Sequence, residues 1–317
     1  MGYSRHIPSL MEFRNASESI KNVALQTQLI PLRWYGENPR ILLKPEMFQP
    51  IGSYKIRGVY NWAKRLDPVK RARGISTISA GNMAIAVAYV GKILSIPARG
   101  IMVDTTPRSK IEVVEGYGAE VMLISIEEII EYLKNPPDDR CFLHPMEEYT
   151  LLEGHGTVGL EIIDEAPDTE TIYVPVGAGF LGAGTALAAK ALKPSVKVIG
   201  VNSEAYPHYY ESFKQGKVVD VERKTTIADS LGAWASDHML KLLQSVLDDM
   251  VIVSEDEIKE SIRYLANENK MIVEGASATT HAAALNVPTD ERGNTVCILS
   301  GGSINPETIA KIITNSS

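Results

Sequence analysis

The chain has 317 residues, 44% hydrophobic and 22% charged, with a formal net charge of −7 and only two cysteines, Cys141 and Cys297. That length accommodates two domains around a large core, and the acidic balance gives no basic field for nucleic acid or an anionic membrane. There is no disulfide framework, Arg5, Glu12, Arg14 and Glu18 break up any N-terminal signal peptide, and no uncharged run is long enough to span a bilayer. The expectation is a cytoplasmic protein with a small-molecule ligand.

In chain order, the first informative run is Gly52-Ser53-Tyr54-Lys55-Ile56-Arg57-Gly58. A helix-opening lysine between glycines suits covalent chemistry. Its amine attacks a carbonyl only when deprotonated, and burial or a neighbouring cation, here Arg57, favours that form. The plainer alternative is a solvated lysine at a helix start. Ile56, Val59, Tyr60, Ala63 and Leu66 then form an apolar helix face stopped by Asp67-Pro68. Residues 75–79 read as a strand, and Asn82 is expected to cap a buried helix running to about Leu94. Further strands are expected at 101–103, 120–124, 171–176, 196–201, 250–253 and 295–299, each followed by turn or helix signals. This alternation is the pattern of open parallel sheets covered by helices. Asn135-Pro136-Pro137-Asp138-Asp139 is the densest turn cluster and the best linker candidate. Ser254 and Glu257 form a capping box ahead of Ile258, Ile262 and Leu265.

Two strand-to-helix junctions carry anion-binding signals. Gly177-Ala178-Gly179-Phe180-Leu181-Gly182-Ala183-Gly184 places four glycines in eight residues between a strand and an alanine-rich helix. Free backbone N–H groups and the positive helix end converge there. A tight turn is the structural alternative. Gly177, Gly179 and Gly182, with Glu204 beyond a second strand, also satisfy a dinucleotide fingerprint, so a Rossmann-type oxidoreductase is a competing reading. Ser79-Ala80-Gly81-Asn82 forms the second junction and suits a carboxylate, or simple capping. The last strand ends in Ser300-Gly301-Gly302-Ser303, at the edge where such sheets hold ligands.

Taken together, these motifs resemble the fold-type II pyridoxal phosphate enzymes, specifically the threonine dehydratase and serine racemase branch, over most of the chain. Ser53 to Gly58 is similar to that branch's Schiff-base motif, and Ile56 stands where the synthase branches carry aspartate. Glu153 to Ile162, Thr226-Ile227-Ala228-Asp229 and Glu274-Gly275-Ala276-Ser277 follow in the family's order. The resemblance implies two open parallel-sheet α/β domains of the tryptophan synthase beta-like kind with the active site between them: a large cofactor-binding domain from 1–67 and 151–317, and a small substrate-gating domain from 74–150. It implies pyridoxal 5'-phosphate held by Lys55, Asn82, Gly177, Ala178, Gly179, Phe180, Leu181, Glu274 and Ser300, with Lys55 catalytic. It further implies an amino acid substrate whose carboxylate is held by Ser79, Ala80, Gly81, Asn82 and Met83, and a homodimer. The expected activity is β-elimination from a β-hydroxy L-amino acid such as threonine or serine, giving a 2-oxo acid and ammonia. A racemase, or another β-elimination or replacement enzyme of the same fold, is the alternative.

Departures from the pattern carry expectations of their own. Met83 replaces a frequent histidine, which changes the substrate pocket. Ala178 and Phe180 replace loop glycines, so the Phe180 ring must point away from the phosphate. His155 stands where glutamine is usual. Asn202 stands where part of the family has a metal-binding carboxylate, so no metal is expected despite nearby Glu204. Ala80 replaces the serine that racemases use as a second base. The chain ends too soon after its last strand for the regulatory domain of biosynthetic threonine dehydratases, so isoleucine feedback through that domain is not expected.

Overall fold

Short β-branched runs, each followed by a helix, build two separate sheets. The computed structural model describes residues 5–34, 40–137 and 139–314, so Asp138 of the expected linker lies outside the described residues. Ten strands run in order: β1 (Ile30–Pro31), β2 (Ile41–Pro45), β3 (Ile75–Ile78), β4 (Ala98–Val103), β5 (Glu120–Ile124), β6 (Cys141–Leu143), β7 (Thr171–Pro175), β8 (Lys197–Ser203), β9 (Asp249–Val253) and β10 (Thr295–Leu299). One sheet has the order β1-β2-β10-β7-β8-β9 and the other β5-β4-β3-β6. Only β1 pairs antiparallel; every other pairing is parallel. Every residue of β3 and of β10 is buried, as parallel strands covered by helices on both faces must be.

The sequence left β1, β2 and β6 unassigned. β2 reads Ile-Leu-Leu-Lys-Pro, and its charge and proline argue against a central strand. Lys44 is nevertheless fully buried, because its ammonium meets Glu161 at 2.6 Å and also donates to the carbonyl of Thr27. Proline is tolerated because it ends the strand. β6 is only three residues long and shows no usable alternation.

The lysine-bearing helix, Lys55–Arg65, is seated against the helix Leu151–Glu165. A Cβ on Gly154 would stand 2.4 Å from the Arg57 carbonyl, so that glycine permits the approach. Below the contact, Arg57 donates to Glu46 at 2.7 and 2.8 Å, to Glu161 at 2.6 and 2.8 Å and to Thr157 at 3.0 Å. These groups are all buried. The paired cations hold Glu46 below the usual carboxylate range against the opposing effect of burial. The expected capping box at Ser254 and Glu257 is present.

Candidate active site

The C-terminal ends of β3, β7 and β10 open onto one cavity of about 900 Å³ between the two sheets. Open α/β sheets put ligands at this edge. Lys55, Ser79, Ala80, Gly81, Asn82, Met83, Gly177, Ala178, Leu181, Glu274 and Ser300 line it; Gly179 and Phe180 do not. Phe180 is buried with its ring 5.7 Å from that of Tyr149, turned away from the cavity. Gly179 adopts φ +93°, and a Cβ there would meet Met239 at 2.5 Å, so glycine is needed on both counts.

Lys55 is carried to the cavity by a loop docked on the end of β10. Tyr54 N–H donates to the Ser300 carbonyl at 3.0 Å, Gly302 N–H to the Gly52 carbonyl at 2.9 Å, and Ser53 bridges Gly301. The Lys55 ammonium nitrogen lies 4.7 Å from the centre of the Tyr54 ring. Arg57, expected to act on Lys55 as a neighbouring cation, is turned to the other side of the helix. Residues two apart on a helix project to opposite sides, and Arg57 is committed to Glu46 and Glu161 beneath it. His155 is also buried, edge-on to Tyr54 at 4.7 Å, with neither ring nitrogen hydrogen-bonded.

At the glycine loop, the helix Phe180–Leu192 begins with Ala183 N–H bonded to the Gly179 carbonyl. Among the described residues, the N–H groups of Gly177 through Gly182 find no protein acceptor. These donors, converging at a helix N-terminus, fit a phosphate. Asn202 Nδ2 donates to the Val176 carbonyl at 2.6 Å, and Asn202 Oδ1 accepts from Tyr210 N–H at 2.8 Å. The amide is thus spent on backbone, tying the start of the loop to the helix His208–Gln215. Glu204 is exposed and lies outside the cavity wall.

The second junction differs from its expected form. Gly81, not Asn82, is the N-cap of Asn82–Leu94, and no side chain caps this helix. Asn82 Nδ2 instead reaches both carboxylate oxygens of Glu274, at 3.0 and 3.3 Å, while its Oδ1 accepts from Ser303 at 2.6 Å. Ser79 Oγ accepts from Gly81 N–H at 3.1 Å. Burial pushes the Glu274 carboxyl up to about 7, outweighing the amide of Asn82. Ser300 Oγ stands 3.2 Å from Ser277 Oγ. Met83 is buried but contributes to the wall.

Sequence reasoning missed several wall residues. Lys110 pairs with Asp229 at 3.3 Å across the cavity, and Arg223 and Trp234 line its mouth. His208 lies behind the glycine loop, with Nε2 3.2 Å from the Gly177 carbonyl. Lys110, Arg223, Trp234 and His208 belong to no motif, because tertiary packing that the local pattern does not encode brings each of them to the site.

A family model described as "Pyridoxal-phosphate dependent enzyme" matches residues 20–301. An L-threonine ammonia-lyase of Thermotoga maritima is 37% identical over 313 residues, covering 96% of this chain and 78% of that protein. A catabolic L-threonine dehydratase of Staphylococcus aureus is 33% identical over 320 residues, covering 97% and 92%. Among solved structures, maize serine racemase superposes with a TM-score of 0.88 at 28% identity, covering 98% of each chain.

Proposed function

The chain belongs to the pyridoxal-phosphate dependent enzymes, and from that premise we propose a lyase that removes the β-hydroxyl and amino groups of a β-hydroxy L-amino acid, releasing a 2-oxo acid and ammonia. The observation that carries this reading is that Lys55 shares a single cavity wall with Gly177, Ala178 and Leu181, whose amides find no protein acceptor among the described residues. The relatives named for threonine ammonia-lyase and dehydratase activity support the choice of reaction.

In this reading the 177–182 amides would hold the cofactor's phosphate, and Lys55 would hold the cofactor covalently. Bound there, pyridoxal phosphate supplies an electron sink for charge developing at the substrate's α-carbon. Lys55 Nζ, once freed and deprotonated, takes the α-proton as general base. The backbone of Ser79 through Met83 receives the substrate carboxylate at the start of a helix, where unpaired N–H groups favour an anion. Ser300 would meet the ring nitrogen as a neutral hydroxyl, which would not hold that nitrogen protonated as an aspartate would. Glu274 and Asn82 would help to hold the ring. Ala80 offers no proton on the opposite face, so elimination outruns racemisation.

Residues 74–150 form the small gating domain in the same reading, with 1–67 and 151–317 as the large one. The support is that β3 to β6 fall wholly within the first span and the remaining strands within the other two. A cytoplasmic homodimer completes the reading, and the unpaired Cys141 and Cys297 suit a reducing compartment.

The test is an assay of cofactor-loaded protein with L-serine and L-threonine, following 2-oxo acid, ammonia and substrate chirality. Release of 2-oxo acid faster than D-amino acid is expected. D-serine accumulating faster than pyruvate would overturn the argument from Ala80, and no release from either substrate would overturn the lyase.

A further inference from the structure

Asn202 near the end of β8 and His208 at the start of the helix His208–Gln215 reach the two consecutive carbonyls that open the glycine loop from behind. Asn202 takes the Val176 carbonyl at 2.6 Å, and His208 Nε2 stands 3.2 Å from the Gly177 carbonyl. Both peptides are trans, so the N–H of Gly177 and that of Ala178 point opposite to the restrained carbonyls. Gly177 and Ala178 line the cavity, and neither amide has a protein acceptor among the described residues. His208 thereby helps to aim the Ala178 N–H.

The other ring nitrogen of His208, Nδ1, is 3.1 Å from the Tyr206 carbonyl. A neutral imidazole has one N–H and one lone pair. Two carbonyls, one at each nitrogen, leave one facing a lone pair, whereas an imidazolium donates to both. The ring cannot easily turn away: it stacks on Tyr206 at 4.5 Å and 19°, and Tyr209 packs against it at 4.9 Å.

We propose that His208 is a positioning residue of the glycine loop that takes a proton from solvent when a tetrahedral dianion, the cofactor's phosphate, seats on the loop's amides. The inference rests on the cofactor reading above. Burial pulls the imidazole below its ordinary range, and the Arg223 guanidinium, 5.5 Å from the Tyr206 ring centre, opposes a second positive charge. The two carbonyls act the other way. Around the ring, Tyr206, Tyr209 and Arg223 are the titratable or charged side chains in play. A dianion on the far side of the Gly177 peptide shifts the balance toward imidazolium. The sign follows: dianion affinity is greatest below the empty-site pKa and falls as pH rises toward the occupied-site pKa, by up to about tenfold per pH unit for one proton.

The experiment records the histidine ring nitrogens of 15N-labelled full-length protein, loaded with cofactor and then stripped of it, at pH 7.5. His208→Gln assigns the signal. The loaded protein should show His208 with both nitrogens protonated and the stripped protein a neutral ring; a neutral ring in the loaded protein overturns the proposal. A second measurement needs no variant. Calorimetry in two buffers of different ionisation enthalpy compares wild-type uptake of pyridoxal phosphate with pyridoxal, which lacks the phosphate. The phosphate-bearing form should take up about one more proton, after allowance for its own titration. Equal uptake, with the cofactor attached to Lys55, contradicts the role of His208 alone. Failure of the phosphate form to attach to Lys55 removes the underlying reading, and the proposal with it.

Discussion

Lys55 and Arg57 sit two residues apart on one helix and show opposite solutions to a cation inside a protein. Beneath the helix, Arg57 meets Glu46 and Glu161 with its donors matched, and Lys44 completes the cluster. On the cavity side, Lys55 faces a wall where, among the described residues, the amides of Gly177, Ala178 and Leu181 lack acceptors and the buried Glu274 has no cation among its partners. A matched set of charges fixes where a helix sits. Unmatched donors are stable only if something else fills the space, so the two sides predict different responses to mutation.

The largest effect belongs to the unmatched side. Lys55→Ala should lower turnover by at least the ~10²–10⁴ typical of losing a general acid–base group, with near-wild-type stability in the stripped protein. Steady-state kinetics and urea unfolding check both halves, and near-normal turnover would break the contrast at its centre.

Arg57→Ala should do the reverse. It strands Glu46 in the interior and leaves Glu161 with Lys44 alone, and removing one partner of a buried pair costs about 3–5 kcal/mol. Urea unfolding measures it. A loss below about 1 kcal/mol would mean that the cluster is not what seats the helix.

Glu274 sharpens the comparison through pH. Its carboxyl is raised from 4.5 to about 7, so the folded protein holds the proton more tightly than the unfolded chain. The stabilising contribution is complete below about 4.5 and is lost as pH rises to about 7. In the stripped protein, Glu274→Gln should therefore flatten stability across that window and be the more stable variant at pH 8, by at most on the order of 3 kcal/mol. Unfolding at pH 5 and pH 8 tests the sign, and a parallel pH dependence in both proteins would contradict it.

The smallest effect concerns selectivity. Met83 gives the cavity wall a thioether without a hydrogen-bond donor, and a pocket lacking such a donor discriminates weakly for a hydroxyl. Met83→His should shift relative kcat/KM toward serine and threonine over bulkier, less polar amino acids, by roughly tenfold. An unchanged ranking across an amino acid panel would show that Met83 only packs.

Much of this was legible in the sequence because glycines, strand runs and helix starts are local signals. The junctions at Ser79 and Gly177 and the lysine turn could be placed before any fold was known. β2 was hidden because the partner that lets Lys44 be buried, Glu161, lies far along the chain. His208, which opens a helix, and Arg223 were hidden for the same reason: a side chain that reaches the site from a distant segment leaves no periodic trace. Asn82 was legible as a helix start but not as a bridge to Glu274, since its amide suits either use. The side to which Arg57 points was legible, because helical geometry alone sets residues i and i+2 on opposite sides.

The most direct test of the account is borohydride reduction of the cofactor-loaded protein, followed by proteolysis and mass mapping of the pyridoxyl label. The prediction is a single labelled peptide containing Lys55. A label on another lysine, or none, would contradict the assignment of the cavity side of this helix as the reactive one.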